Sequence, residues 1–440
     1  RTALAVGGAA LVVYLATATY TGPLSPDPVA AAMPAWHLAT TGSPYLEHTG
    51  LASQWFGESS GHLVSNRFMG VVLFGVPFYA LATPLLGLVG VGTGYSLLPA
   101  AVAAACAAAG AVALLFVLID RLAGRGPAFA VAAAFALTTP TWSVSADALW
   151  PHGPAQLWLL ATLVLVTAAR PRYAAAGLVA GLAVITRLHF AVVPLVLGVW
   201  LALSRRSWRP LAGLGLSGWA LPALLVWNHW VYGAWTLGGG YQGHFGALDV
   251  GGAATGSAWR NYLVNLAGTL VAPDRGLLMW TPVLIFLAAG LPWAWRTAPD
   301  WVRAGTVAGL AYLAVQLQLN GFSGGMNFYG YRLALEPLTL ATPLLALAAV
   351  SPPVWQTSRR TALLVTTGAQ GTVIALGAVL PLPFLWISDA SWQVWKPALL
   401  ARDHPAAGLV VLLAGAAATV VLVRLTSRHA PVGAAEPGGA

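Results

Sequence analysis

Apolar stretches divide this chain, and its positively charged residues are concentrated in every second gap between them. Every second gap holds at least one arginine, and these arginines are Arg121, Arg125, Arg170, Arg172, Arg205, Arg206, Arg209, Arg296, Arg303, Arg359, Arg360, Arg424 and Arg428. The other gaps hold most of the acids, namely Asp27, Glu47, Glu58, Asp147, Asp249, Asp274 and Asp389. Cytoplasmic loops of membrane proteins carry an excess of Lys and Arg. The alternation therefore predicts a multi-pass protein that gathers its carboxylates on the non-cytoplasmic side.

The composition supports the same class. Of the 440 residues, 58% are hydrophobic and only 8% are charged, whereas soluble domains average about 25% charged residues. The net charge of +9 does not indicate nucleic-acid binding, because the arginines are scattered at helix ends and form no basic face. The single cysteine, Cys106, rules out an intrachain disulfide. We expect an all-α, polytopic fold in the inner (plasma) membrane.

The apolar stretches predict the path of the chain. The first helix, about Leu4 to Tyr20, leaves the cytoplasm and is interpreted as an uncleaved span, not a signal peptide. Residues 68–91 are apolar, but a crossing there would invert every later arginine cluster. Their Pro and Gly content favours a re-entrant or interfacial helix inside a first outer loop, 21–94. Further spans are predicted near 95–119, 127–143, 153–169, 174–188, 190–204, 211–231, 277–294, 304–320, 333–350, 361–386 and 406–424.

This count gives about twelve transmembrane helices, with both termini cytoplasmic. Residues 1–430 are expected to form one transmembrane domain. The remaining segment, 431–440, is rich in Gly, Ala and Pro and is expected to be a disordered tail.

Asp27 is the first acid after the first helix. A carboxylate held near the membrane surface can act as a general base on an acceptor hydroxyl. The same residue could instead be an ordinary N-cap of a helix that begins at Pro28. Spacing alone does not decide between these two interpretations.

Further motifs follow Asp27 in a fixed order. They are Asn66-Arg67-Phe68 through Phe78-Tyr79-Ala80-Leu81, the segment from Ser145 to Ala155 with Asp147 and His152, Gly181-Leu182-Ala183-Val184-Ile185-Thr186-Arg187, Pro273-Asp274-Arg275-Gly276-Leu277-Leu278 with Pro282, and Gly324-Gly325 through Gly330-Tyr331-Arg332. In this order the chain resembles the GT-C class of integral-membrane glycosyltransferases, especially the bacterial relatives of protein O-mannosyltransferases and aminoarabinose transferases. Two departures stand out: Pro28 follows Asp27 where the class often has a second acid, and Tyr331-Arg332 replaces the usual Pro-Arg.

The resemblance implies a polyprenyl-phosphate-linked sugar donor, used outside the cytoplasm, with Asp27 as the catalytic base. The lipid phosphate that leaves is an anion and needs cations near the outer face. Arg332, Arg275 and Arg187 are predicted at outer helix ends and are candidates, although each could simply snorkel or pair with Asp274 or Glu336. The remaining candidate substrate contacts are His152, Asp147, His244 and Tyr331.

Three functions stay open at this point. The first is a hexosyl or pentosyl transferase that acts on a glycan, lipid or protein acceptor of the cell envelope. The second is a transporter or flippase for a lipid-linked glycan, which the scarcity of mid-helix acids argues against. The third is a non-catalytic subunit of an envelope-assembly complex, which would not need Asp27. No cofactor is indicated with certainty, and a divalent cation is an open option; membrane lipids are the other expected partners.

Overall fold

A computed structural model describes residues 1–20, 25–47, 49–50, 56–88, 94–241, 258–322, 324, 327–354, 356–380 and 392–428. The expected tail, 431–440, and the candidate His244 lie outside this part of the chain.

Helices dominate the described residues. In chain order they are α1 Thr2–Thr17, α2 Pro26–Thr41, α3 Met69–Leu88, α4 Leu98–Ala123, α5 Arg125–Leu137, α6 His152–Val166, α7 Tyr173–Thr186, α8 Val192–Ser204, α9 Arg209–Gly215, α10 Ala220–Tyr232, α11 Ala258–Val271, α12 Leu277–Trp280, α13 Val283–Ala288, α14 Leu291–Thr297, α15 Asp300–Leu319, α16 Leu335–Ala349, α17 Thr357–Val379, α18 Lys396–Asp403 and α19 Pro405–Arg428. A π-helical turn, Thr141–Ser145, follows α5, and 3-10 turns cover Leu188–Ala191, Leu216–Trp219 and Gly239–Tyr241.

Most predicted spans coincide with a helix, but two regions differ. The expected helix at 277–294 is divided into α12, α13 and α14, because Pro282 and Gly290 interrupt it. Helix α11 was not predicted. Within the described residues, four helices are long and apolar enough to cross a membrane, or five if the sharply bent pair α18–α19 is one span. The protein is therefore a helical integral membrane protein, while the count of about twelve crossings stays a prediction.

The expectation of a purely α-helical chain is wrong at one place. Two short strands, β1 Phe56–Ser59 and β2 His62–Ser65, form an antiparallel hairpin in the first loop. Ser60 and Gly61 connect them, and both have positive φ angles, 52° and 79°. Two such residues match the right-handed twist of adjacent strands.

Small residues allow the first helix to pack closely against α4. A Cβ atom on Gly7 would lie 2.9 Å from Cβ of Ala113, so any larger residue would push the helices apart. At the other end of α1, Thr19 and Leu97 line the same cleft. The two helices are therefore antiparallel, and the end of α1 lies beside the start of α4. Small residues at such contacts let helices approach closely in lipid.

Both flanks of α3 lie beside the start of α2. Arg67, just before α3, contacts Asp27. After α3, Leu97 lines a cleft together with Pro28, and the hydroxyl of Tyr79 within α3 donates to the carbonyl of Ser96 at 2.8 Å. This geometry supports the prediction that residues 68–91 return to the side they left, although α3 is long and apolar enough to cross. Cysteine labelling near positions 60 and 94 should find both on one side, and opposite sides would contradict the prediction.

Candidate functional site

Asp27 lies in the first turn of α2, a helix that begins at Pro26 after Ser25. It is therefore not the N-cap, and the helix does not begin at Pro28. Its Oδ1 accepts a hydrogen bond from Nη2 of Arg67 at 3.0 Å, and its Oδ2 accepts one from Nη1 of Arg332 at 2.6 Å. All three residues are at most 9% exposed. A carboxylate held by two buried guanidinium groups is the centre of the site.

The hairpin places Arg67 beside α2. The hydroxyl of Ser65, at the end of β2, donates to the carbonyl of Ala30 in α2 at 2.5 Å and accepts the backbone N–H of Arg67 at 3.3 Å. The hydroxyl of Tyr232 donates to the carbonyl of Ser65 at 2.8 Å. The segment that carries Arg67 is therefore fixed from both sides.

A glycine lets α3 approach the helix end that carries Arg187. A Cβ atom on Gly70 would lie 2.5 Å from the backbone nitrogen of Thr186, which is closer than real Cβ atoms come. Arg187 directly follows Thr186, and its positive charge acts on Asp27. The close contact thus brings Arg67 and Arg187, which are distant in sequence, to one side of the carboxylate.

The charge state of Asp27 follows from these neighbours. Burial alone would raise its pKa, since a charged group loses hydration. The positive charges of Arg67 and Arg332, together with the hydrogen bond from Arg332, outweigh burial and hold the pKa of the Asp27 carboxyl below its ordinary value. Asp27 is therefore ionised in the resting site.

Aromatic rings support Arg332 from two directions. Its guanidinium carbon lies 4.8 Å from the ring centroid of Trp150 and 5.1 Å from that of Phe328. The hydroxyl of Ser143, in the π-helical turn, donates to the carbonyl of Tyr329 at 2.7 Å. The loop before α16 is thus tied to the segment before α6, and both carry residues of the site.

A buried histidine–glutamate pair joins the same two segments deeper in the bundle. Nδ1 of His152, the first residue of α6, lies 2.7 Å from Oε1 of Glu336 in the first turn of α16, and both side chains are fully buried. Gln156 adds hydrogen bonds from its Nε2 to the hydroxyls of Thr141 and Thr339, at 3.1 and 3.0 Å. Since Glu336 lies four residues after Arg332, the pair fixes the end of the loop that carries that arginine.

A second charged cluster contains Arg275 and Lys396, and the sequence did not single out Lys396. Arg275 pairs with Asp274, which is the alternative that the sequence left open for it. Asp274 receives a hydrogen bond from Nε of Arg275 at 2.8 Å on Oδ2, and Nζ of Lys396 lies 3.2 Å from its Oδ1. These three side chains are at most 4% exposed. The carboxylate of Asp274 is therefore shared by two basic side chains.

Asp147 and Tyr331, two further candidates, do not contact Asp27 in the described structure. Oδ1 of Asp147 accepts hydrogen bonds from the backbone N–H of Thr19 at 3.0 Å and from the Thr19 hydroxyl at 2.8 Å. Burial raises the pKa of Asp147 to about 6, although the Thr19 hydrogen bonds lower it. The phenol oxygen of Tyr331 accepts the Thr281 hydroxyl at 2.9 Å. Each of the two residues is therefore hydrogen-bonded to a threonine of another segment.

An apolar cleft opens next to Asp27. It is a shallow groove lined by Thr19, Pro28, Leu97, Ala100, Ala101, Ala148 and Leu149. Pro28 belongs to the first turn of α2, and Leu149 precedes the Trp150 ring that supports Arg332. Within the described ranges, no group of three or more His, Cys, Asp or Glu residues could hold a metal ion.

Comparison with known proteins gives a fold and no closer relationship. No family model matches the sequence, and no curated protein matches it. Among solved structures, the chain is similar to the crystal structure of ArnT from Cupriavidus metallidurans bound to undecaprenyl phosphate, with a TM-score of 0.53 and 17% sequence identity over 95% of this chain and 72% of that one. The chain therefore shares the overall fold of that protein, in agreement with the resemblance predicted from the ordered motifs around Asp27.

Proposed function

We propose that this protein transfers a sugar from a polyprenyl-phosphate-linked donor to an acceptor of the cell envelope, on the non-cytoplasmic face of the inner membrane. The observation that carries the proposal is the buried Asp27 carboxylate between Arg67 and Arg332. It combines a proton acceptor with two anion-binding groups in one place. The GT-C-like fold, shared with a protein whose structure holds undecaprenyl phosphate, supports the choice of donor.

The reaction is a single displacement at the anomeric carbon of the donor sugar. The acceptor oxygen attacks that carbon, and its proton passes to the carboxylate of Asp27. The bond from the anomeric carbon to the phosphate oxygen breaks, and the electron pair leaves with the polyprenyl phosphate. Arg332 and Arg67 stabilise the negative charge that develops on that oxygen. One displacement inverts the anomeric configuration.

The resting geometry raises a question about the base, because a carboxylate paired with two arginines accepts protons poorly. Donor binding resolves it. The lipid phosphate competes for Arg332 and Arg67, since charge-assisted hydrogen bonds to phosphate are strong. As the arginines turn to the phosphate, they stabilise the carboxylate charge of Asp27 less, and its pKa rises towards the ordinary range. The base therefore becomes effective only when a donor is present.

The apolar groove beside Pro28 is the surface on which we place the start of the lipid chain. Its lining is almost entirely apolar, and Pro28 directly follows Asp27. Arg187 and Arg275 complete the proposed phosphate environment, while His152 and His244 remain candidate contacts of the substrate. The sugar, whether hexose or pentose, and the acceptor class remain to be identified by experiment.

The test uses purified protein, radiolabelled polyprenyl-phosphate sugars and a cell-envelope extract. We expect the label of one donor to move to an acceptor with wild-type protein and not with the Asp27→Asn variant. A parallel assay in vesicles measures whether the labelled lipid changes leaflet. Leaflet exchange without any transfer to an acceptor would contradict the proposal and favour a flippase.

A further inference from the structure

Three cations surround one aromatic ring at the boundary of the two charged clusters. The guanidinium carbons of Arg275 and Arg332 lie 4.3 and 5.1 Å from the ring centroid of Phe328, and Nζ of Lys396 lies 5.1 Å from it. The ring is only 3% exposed. The cations come from three segments that are far apart in the sequence, so the ring is the feature they share.

The backbone of Phe328 strengthens this arrangement. Nζ of Lys396 donates a hydrogen bond to the carbonyl of Phe328 at 2.6 Å. The ring packs edge-to-face with that of Trp150, at a centroid distance of 6.0 Å and an interplanar angle of 79°. Phe328 is therefore held by Trp150 on one side and engages Lys396 through both its ring and its carbonyl.

Cations share carboxylates at both clusters. Arg67 and Arg332 share Asp27, and Arg275 and Lys396 share Asp274. Buried cations that share a carboxylate can each donate to a further acceptor, so the two clusters together favour an anionic ligand.

Like charges repel. Asp274 bridges Arg275 and Lys396, whereas Arg332 pairs with Asp27, so the ring of Phe328 is the group that contacts all three cations. The face of an aromatic ring carries negative electrostatic potential and attracts cations within about 6 Å. We propose that Phe328 is a positioning residue that gathers Arg275, Arg332 and Lys396 into one binding site for a phosphate headgroup. A phosphate has several acceptor oxygens and can bind donors from more than one side.

This inference rests on the proposed function for the identity of the phosphate, which would be that of the donor lipid. The site itself does not depend on sugar transfer. Binding is therefore measured directly on purified full-length protein, with farnesyl phosphate as the probe, inorganic phosphate as the free anion and farnesol as the uncharged control.

Fluorinated phenylalanines separate the electrostatic role of the ring from its shape. One, two or three ring fluorines at position 328 remove negative potential from the ring face with little change in volume. We expect farnesyl phosphate affinity to fall stepwise, to roughly a tenth with three fluorines. The same series at Phe116, a buried core ring 2% exposed, should leave affinity unchanged.

The substitution Phe328→Leu removes the ring and should weaken farnesyl phosphate binding at least as much. Phe328→Tyr keeps an aromatic ring and should retain most of the wild-type affinity. Unfolding midpoints of all variants are measured alongside; if Phe328→Leu does not fold, the fluorinated series still decides. Equal affinity across the series at 328, or the same decline at 116, would overturn the inference.

Comparison of the three ligands identifies the source of the phosphate. Tight binding of farnesyl phosphate, competition by inorganic phosphate at higher concentration and no binding of farnesol would support a lipid headgroup site. Equal affinity for both phosphates would overturn the assignment to a lipid, and no binding of either would overturn the site. Normal binding without sugar transfer to any acceptor would instead contradict the proposed function and leave this inference standing.

Discussion

Asp27 and Asp147 are both largely enclosed acids close to the end of the first helix, yet their surroundings differ. Asp27 lies between Arg67 and Arg332, and these charges hold its pKa below the ordinary value despite burial. Asp147 is hydrogen-bonded by the backbone and hydroxyl of Thr19, and burial raises its pKa to about 6. One carboxylate is stabilised as an ion, whereas the other is disfavoured as one.

The difference teaches that residue type and position alone do not define a functional acid. The hydrogen bonds of Asp147 join the end of α1 to the turn before α6, which suits a structural role. The ion pairs of Asp27 join a candidate base to anion-binding groups, which suits chemistry. The sequence motifs made both acids candidates, and mutations at the two sites should separate the roles.

The largest expected effect is at Asp27. Asp27→Asn should lower the rate of sugar transfer by roughly a hundred- to ten-thousandfold, because the amide cannot accept the proton of the acceptor hydroxyl. Transfer is measured with labelled donor under saturating conditions. Near wild-type transfer would show that Asp27 is not the base.

A control for stability accompanies this variant, since removal of one partner from a buried ion pair is destabilising. Donor binding and the unfolding midpoint in detergent are measured for the same preparation. Retained donor binding in a folded variant would assign the lost rate to chemistry.

The next effect concerns the cation on the other side of the carboxylate. Arg332→Ala should weaken donor affinity by roughly ten- to a hundredfold, because one charge-assisted phosphate contact is lost. Arg359→Ala is the matched control: Arg359 is exposed at the start of α17 and donates a hydrogen bond to the backbone carbonyl of Pro353 at 2.9 Å. Equal losses in both variants would contradict the assignment of Arg332.

At Asp147 we expect a small effect on transfer. Asp147→Asn keeps an oxygen that can accept both hydrogen bonds from Thr19, so the rate should change by less than about threefold. Donor titrations and transfer rates check this result. A loss comparable to that of Asp27→Asn would mean that Asp147 binds substrate, as the sequence motifs first indicated.

The smallest effect is a pH dependence of stability. The pKa of Asp147 is raised in the folded protein to about 6, so the folded state binds a proton more tightly than the unfolded state does. Its contribution should therefore stabilise the protein as pH falls from 7 towards 5 and destabilise it as pH rises again. The difference in unfolding midpoint between wild type and Asp147→Asn isolates this term from other groups, and a pH-independent difference would contradict it.

The charge bias and the ordered motifs predicted the helical class and singled out the candidates Asp27, Arg332 and Arg275. Both features can be read directly from the residues of the chain. The sequence could not predict that Asp27 and Arg332, 305 residues apart, contact each other. Contacts of this kind depend on helix packing, which periodicity does not report. The pairing of Arg275 with Lys396 around Asp274 was missed for the same reason.

Other misses have local explanations. Ser60-Gly61 is a turn signal that could have indicated the hairpin. The strands on either side are only four residues each, so the alternation of apolar and polar residues along them is too short to stand out. Residues 258–271 mix polar and apolar side chains, so no continuous apolar run marked α11. Phe328 lay among several aromatic residues of a Gly-rich loop, and nothing in the sequence distinguished its ring from the others.

The two ion pairs of Asp27 also differ in when they can form during synthesis. Arg67 follows Asp27 by 40 residues, whereas Arg332 follows it by 305. Since chains fold progressively from the N-terminus as they are made, the carboxylate can be neutralised early by Arg67, before most of the bundle exists. Arg332 arrives only after helices α1 to α15 have been made. A nascent chain that ends between these two arginines therefore shields its acid without yet holding the second cation.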